Sequence, residues 1–86
     1  MPVISRFYGI VIRMYYNEKH GPPFHAEYGE YKALIDIATG EILAGALPRR
    51  ALRLVLEWAV AHREELDENW RRARDGKAPQ KIQPLK

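Results

Sequence analysis

The chain has 86 residues, of which 47% are hydrophobic and 29% charged, and this balance indicates one globular domain over residues 1–86 rather than a disordered chain. It contains no cysteine, which excludes disulfide and thiolate chemistry and fits a reducing compartment. Residues 1–46 carry four basic and five acidic residues, whereas residues 47–86 carry ten basic and six acidic residues. The excess of positive charge in the second half favours an acidic or phosphate-bearing partner. The alternative is that this half is simply a basic solvated surface.

The N-terminal segment, residues 1–16, is the first place to look for a targeting signal. It meets polar or charged residues too often to form the apolar core of a signal peptide or a membrane span. We therefore expect a cytoplasmic protein that does not enter the membrane.

The first half of the chain, residues 1–46, is predicted to form a sheet. Segment 6–16 is rich in β-branched and aromatic residues, which favour strands. A turn containing Gly21 and two prolines follows, and Gly40 marks a second turn. Further strands are predicted over three shorter segments, 24–28, 30–37 and 42–46. The short connections predict three or four antiparallel strands.

The second half is predicted to form one long amphipathic helix over residues 47–75. Pro48 suits a first helical position, and Gly76 ends the pattern. Apolar residues recur along one side of this helix, and one histidine lies among them, at Ala51, Leu52, Val55, Leu56, Ala59, His62, Leu66, Trp70 and Ala73. Residues 76–86 are predicted to form an extended tail. The fold class is therefore α+β, with a three- to four-stranded antiparallel sheet before a single helix.

Two histidines, His20 and His25, flank the Pro-Pro turn and are the first candidates for chemistry. If Phe24 and Tyr28 pack inward, strand alternation places His25 and Glu27 together on the outer surface. An imidazole beside a carboxylate can act as an acid–base pair near neutral pH, and His20 could add a third group. The alternative is that His25 is only a polar residue of an edge strand.

The same residues invite a metal-binding interpretation, because two histidines and a carboxylate form a known ligand set. One strand and a Pro-Pro turn give no fixed tetrahedral spacing, however. We therefore favour catalysis over metal binding, and predict neither a metal site nor a cofactor.

Basic residues stand at the predicted helix start, at Arg49, Arg50 and Arg53. The free N–H groups of a helix N-terminus favour acidic residues, so arginines there disfavour the helix. Guanidinium groups beside free N–H groups would hold a phosphate, such as that of a nucleic-acid backbone. The alternative is that Arg53 pairs with Glu57 and the other two arginines are solvated.

Leu54 and Trp58 lie on a helix flank beside the main apolar stripe. A large aromatic residue there either widens the contact with the core or anchors a partner protein. We assign Leu54 and Trp58 to a partner interface. Phosphate loops, a zinc-binding HExxH motif and a nucleophile elbow do not occur, so nucleotide hydrolysis and serine chemistry are disfavoured.

Four segments in order, MPVISRFYGIVIRMYY, HGPPFHAEYGEYKALIDIATGEIL, LPRRALRLVLEWAVAHREELDENW and KIQPL, resemble a bacterial family called domain of unknown function 4160. Family members usually read His-x-Pro-Pro-His-Phe-His, and this chain has one histidine fewer in its segment His20–His25. Genes of the family commonly neighbour those of another small family, domain of unknown function 2442, and the pair is suspected to form a toxin–antitoxin module.

The resemblance implies a toxin–antitoxin component, with the toxin role favoured over the antitoxin role. On this interpretation His25, His20 and Glu27 cleave RNA without a metal, the three arginines bind phosphates, and the small antitoxin-like partner meets Trp58. One alternative is a non-catalytic module that binds a small protein through the sheet edge and helix flank. A histidine-based metal-binding protein is a second alternative, and a homodimer is compatible with each.

Overall fold

A computed structural model describes residues 3–14 and 23–86 of the chain. Within them, the elements in order are β1 (Val3–Phe7), β2 (Ile10–Arg13), β3 (Pro23–Tyr28), β4 (Tyr31–Asp36), β5 (Ile42–Gly45), α1 (Arg49–Ala61) and α2 (Arg63–Arg74). The strands form one antiparallel sheet in chain order, and the helices follow it. The α+β class with an antiparallel sheet is therefore confirmed, but the described part of the chain has five strands and two helices.

The extra strand arises from a two-residue turn at Tyr8-Gly9, inside the segment that was predicted as one strand. The φ angles of Tyr8 and Gly9 are 49° and 80°, as in the type I′ turns that join antiparallel strands, and Phe7 pairs with Ile10 across the turn. Asparagine or glycine usually occupies the first of these positions. A tyrosine there carries no turn signal, which is why the sequence pattern did not reveal the hairpin.

The predicted single helix is divided at His62, whose φ and ψ angles are −120° and 27°. The hydrogen-bond ladder continues across the bend, because His62 N–H donates to the Trp58 carbonyl and Leu66 N–H donates to the His62 carbonyl, each at 3.0 Å. A straight helix from Arg49 to Arg74 would be about 39 Å long at ~1.5 Å per residue. The longest extent of the Cα trace is 33 Å, so a bend without glycine or proline fits the helix to the sheet.

One face of the sheet packs against the helices and forms the core. The residues buried between the two layers include Ile10, Ile12, Phe24, Ala26, Ala33, Ile35, Val55, Trp58 and Leu66. Burial of such side chains is the main stabilising contribution to a domain of this size. In the described residues, neither helix is long and apolar enough to cross a bilayer.

The C-terminal tail has no regular secondary structure but returns to the edge of the sheet. Ile82 is buried, and its N–H donates to the Ile4 carbonyl of β1 at 2.7 Å. The tail therefore covers part of the β1 edge, which would otherwise present unpaired backbone groups. At the opposite edge of the described sheet, β5 pairs only with β4.

Candidate functional site

The outer face of the sheet, opposite the helices, carries His25 and Glu27. Both side chains are half-buried, whereas Phe24 and Ala26 between and beside them are fully buried on the inner face. The structure therefore places His25 and Glu27 together on the outer face, as strand alternation predicts. His20 belongs to segment 15–22, which lies outside the described residues.

Neighbouring strands add two cations to this face. Arg13 of β2 pairs directly with His25, and Lys32 of β4 pairs directly with Glu27. Side chains opposite each other on antiparallel strands have Cβ atoms about 4.5–5.5 Å apart, so these pairs are neighbours. We call the four residues His25, Glu27, Arg13 and Lys32 the outer-face cluster.

An ion pair fixes part of the outer-face cluster. Arg13 Nε lies 3.1 Å from Glu27 Oε2, and each side chain is about one-quarter exposed. Partial burial reduces the solvent screening that weakens an ion pair on an open surface. The carboxylate expected to act with His25 is therefore held by a guanidinium that sequence reasoning did not include.

A groove of about 350 Å³ crosses β3, β4 and β5 beside the outer-face cluster. It is lined by His25, Ala26, Glu27, Lys32, Ala33, Leu34, Ala44 and Gly45. The small residues of β5 leave it open on that side. Gly45 has a φ of 77°, and a Cβ there would collide with the Lys32 carbonyl, so the close approach of β5 to β4 requires glycine. The groove thus combines an imidazole, a carboxylate and an ammonium group.

Sequence reasoning missed Arg13 and Lys32, although a signal for each was present. The two-residue turn at 29–30 fixes the pairing of Glu27 with Lys32, because Tyr28 pairs with Tyr31 across it. Alternation along β2 turns Arg13 to the same face, away from the buried Ile12. Working out the strand register first would have placed Arg13 beside His25 and Lys32 beside Glu27.

The arginines predicted to bind phosphate lie on the other side of the sheet from His25. Arg49, Arg50 and Arg53 are exposed at the start of α1, which packs on the inner face. Pro48 provides no side-chain cap, and the first turn contains no acidic residue. Leu52 N–H donates to the Pro48 carbonyl at 2.9 Å. The structure therefore does not bring the three arginines and His25 into one site.

Trp58 lies in the core, with no exposed surface. Its ring centroid is 5.5 Å from that of Phe7 and 6.0 Å from that of Phe24. Of the two alternatives for this residue, the structure supports the core contact, and we remove Trp58 from the partner interface. Leu54 is half-buried and lines a surface cleft beside Tyr8 and Tyr28.

Within residues 3–14 and 23–86, no three histidine, aspartate or glutamate side chains lie together in a way that could hold a metal ion. The second histidine of the metal-binding interpretation, His20, is not among these residues.

Comparison with known proteins gives one family match. The family model described as a domain of unknown function (DUF4160) matches residues 9–71, which include the outer-face cluster and both helix starts. No curated protein and no solved structure matches the chain significantly.

Proposed function

This chain belongs to the family described as a domain of unknown function (DUF4160), and we propose that it is the toxin of a bacterial toxin–antitoxin module and acts on RNA in the cytoplasm. The observation that supports this proposal is the outer-face cluster, in which His25, Glu27 and Lys32 line one groove and Arg13 forms an ion pair with Glu27. Groups of these types are sufficient for RNA cleavage without a cofactor.

His25 is assigned the proton transfers. Its imidazole takes the proton from a ribose 2′-hydroxyl, the 2′-oxygen attacks the adjacent phosphorus, and the bond from phosphorus to the 5′-oxygen breaks. The 5′-oxygen leaves with a proton from a second acid, for which His20 is the candidate on the preceding segment. The products are a 2′,3′-cyclic phosphate and a 5′-hydroxyl end.

The cations of the outer-face cluster are assigned to charge stabilisation. Negative charge grows on the phosphate oxygens in the transition state, and fixed cations lower its free energy. Lys32 lines the groove directly. Arg13 is oriented by Glu27, so the ion pair at 3.1 Å is a positioning contact in this mechanism.

A non-catalytic module that binds a small partner protein is the second candidate, and β5 favours it. All four residues of β5 are exposed, Ile42 by 37% and Leu43 by 48%, and the strand carries no charge. Open, uncharged edges accept an additional strand from another chain. An antitoxin-like protein that adds a strand to β5 would lie beside the groove, so the toxin proposal uses the same edge for its partner.

The test measures growth arrest and RNA cleavage together. Wild type is induced alone in bacteria, beside His25→Ala and Lys32→Ala, and each purified protein is incubated with RNA in the presence of EDTA. Removing a general acid or base lowers a rate by about 10²–10⁴-fold, so His25→Ala should abolish arrest and detectable cleavage. Lys77→Ala, which removes an exposed lysine outside the groove, is the matched control.

Circular dichroism establishes that each variant is folded. Arrest by wild type with cyclic-phosphate products, lost in His25→Ala and kept in Lys77→Ala, would support the proposal. Absence of both arrest and cleavage for wild type would reject the toxin role. Leu43→Lys would then test the second candidate, because a charge on the β5 edge should weaken binding of the partner encoded by the neighbouring gene.

A further inference from the structure

A second surface feature, the tyrosine cleft, lies at the end of the sheet where α1 begins. Its volume is about 320 Å³, and its lining residues are Tyr8, Ile10, Tyr28, Pro48, Arg50, Ala51 and Leu54. This volume is at the lower limit of small-molecule sites, about 300–1,000 Å³. The cleft thus has room for a flat group of the size of a nucleobase.

Two tyrosine side chains, Tyr8 and Tyr28, form the aromatic part of the cleft lining. Tyr8 is 60% exposed and Tyr28 is 39% exposed. The Tyr28 ring lies against the Tyr8-Gly9 turn, because a Cβ at Gly9 would be only 3.3 Å from Tyr28 Cε1. Exposed aromatic rings at the mouth of a cleft are the usual platform for stacking an unpaired base.

The backbone of Tyr8 adopts a conformation that is unfavourable for a tyrosine. Its φ of 49° lies in the left-handed region, and Tyr8 is the non-glycine residue with positive φ in the described chain. Asparagine or glycine would form this turn with less strain. The core gives no reason for the tyrosine, since more than half of its side chain is in solvent.

The charge around the tyrosine cleft favours an anionic occupant. Arg50 lines it, Arg49 and Arg53 flank Arg50 on α1, and none of the described lining residues is acidic. Glu30, two residues after Tyr28, is an exposed carboxylate in the turn between β3 and β4, but it does not line the cleft. A ligand with a flat ring and a phosphate matches the pairing of tyrosine and arginine side chains.

Two consecutive residues of β3 border the two sites. Glu27 lines the groove on the outer face and the next residue, Tyr28, lines the cleft on the opposite side of the sheet, so a strand that reaches both sites has to bend around the end of the sheet. A flexible single strand can follow such a bend. A duplex cannot offer its bases to the rings, because they are stacked and paired.

We propose that the tyrosine cleft binds an unpaired base of single-stranded RNA, stacked on Tyr8 and Tyr28, with the adjacent phosphate on Arg50. This inference rests on the proposed action on RNA and specifies the substrate as single-stranded. It also assigns Tyr8, Tyr28 and Arg50 to binding rather than to chemistry.

The test measures fluorescence anisotropy of a labelled oligouridylate, and of a labelled duplex, in the His25→Ala background, which removes the proposed base. Tyr8→Asn should weaken binding of the single strand by about tenfold, since one stacked base contributes about 1–3 kcal/mol. The same substitution should raise the Tm, because asparagine suits the left-handed turn. Weaker binding by a more stable protein cannot be attributed to misfolding.

Three further variants serve as controls. Tyr8→Phe keeps the ring and should bind as the parent does. Arg50→Gln should weaken binding and lower the slope of log K against log salt by about 0.7, the value for one phosphate contact of a single strand. Arg63→Gln, at an exposed position on α2 away from the cleft, should change neither quantity.

Each outcome has a distinct meaning. Undiminished binding of the single strand by Tyr8→Asn would overturn the cleft assignment while leaving the action on RNA in place. Equal affinity for duplex and single strand would overturn it as well. Absence of RNA binding by the parent would reject both proposals, and loss of partner-protein binding in Tyr8→Asn would reassign the cleft to that partner.

Discussion

Trp58 in the centre of the core is hydrogen-bonded to Gln83 in the C-terminal tail, with the indole Nε1 donating to the Gln83 carbonyl at 2.8 Å. Trp58 is completely buried, so its N–H group has to be satisfied inside the protein. The tail supplies that acceptor and also buries Ile82. It therefore acts as a part of the fold rather than as an appendage.

Removal of residues 79–86 should consequently destabilise the protein. The truncated chain loses the burial of Ile82 and leaves the Trp58 indole N–H without its acceptor, which together lower the free energy of unfolding by about 3 kcal/mol or more. Urea denaturation followed by tryptophan fluorescence measures the change. Deletion of Lys86 alone is the control, and an unchanged midpoint for the longer truncation would show that the tail does not contribute.

Asn69 provides a second attachment of the tail. This residue is 1% exposed, its Nδ2 donates to the Gln80 carbonyl, and its Oδ1 accepts from Gln80 N–H, each at 2.7 Å. Asn69→Ala leaves both backbone groups without their partner and should lower the free energy of unfolding by about 2 kcal/mol. Gln80→Ala keeps the backbone groups and should have little effect. Equal losses in the two variants would contradict this account.

Asn69→Asp should make the hydrogen bond to the Gln80 carbonyl depend on pH, while the hydrogen bond from Gln80 N–H is kept. An aspartate can accept from Gln80 N–H, but when ionised it cannot donate to the Gln80 carbonyl, and burial raises the pKa of the introduced carboxyl. Because the folded-state pKa is raised, the variant should be most stable at acidic pH and lose stability as the pH rises. Urea denaturation at several pH values tests this, with wild type as the reference.

The pair of Glu68 and Arg71 on α2 should give stability a pH dependence opposite to that of Asn69→Asp. The hydrogen bond from Arg71 Nη2 to Glu68 Oε1, at 2.8 Å, and the charge of Arg71 lower the pKa of Glu68. A lowered folded-state pKa stabilises the protein above the unfolded carboxyl pKa, and that stabilisation is lost as the pH falls through the folded value. Arg71→Gln should return the pKa of Glu68 towards its ordinary value.

A carboxyl-detected NMR titration of wild type and Arg71→Gln measures that shift. Arg63→Gln, on the same helix but eight positions away from Arg71, is the control. A Glu68 titration at the same pH in all three proteins would show that Arg71 does not control this carboxyl.

The elements that the sequence predicted well are those in which local pattern and tertiary packing agree. Alternation along β3 buries Phe24 and turns His25 and Glu27 outward, so one strand pattern was sufficient to place the candidate acid–base pair. The apolar stripe likewise placed Val55 and Leu66 in the core. In both cases the residues needed for the inference follow one local pattern, along β3 or along the helical segment that α1 and α2 form.

The features that were missed depend on contacts between elements. Tyr8 adopts a turn conformation that its residue type disfavours, and His62 marks a bend that no glycine or proline signals. Arg13 and Lys32 join the site only through the register of β3 with its two neighbouring strands. Trp58 was assigned to a flank because helix periodicity does not show how far around the helix the core extends.

Gly45 connects the stability of the fold to the shape of the outer-face groove. Its φ is 77°, and a Cβ would collide with the Lys32 carbonyl on β4. Gly29 provides a matched control, since its φ is 57° but a Cβ there meets no atom within 4 Å. Both glycines therefore share the conformational requirement, and only Gly45 adds a steric one.

Gly29→Ala should lower the free energy of unfolding by about 1 kcal/mol, the typical penalty for a left-handed residue with a side chain. Gly45→Ala should lower it by about 2–3 kcal/mol, since β5 has to move away from Lys32 as well. The same displacement changes the groove, so on the proposed function RNA cleavage should fall in Gly45→Ala and stay unchanged in Gly29→Ala. Urea denaturation and the cleavage assay measure the two effects, and equal destabilisation by both substitutions would show that the close approach of β5 to β4 is not what requires glycine.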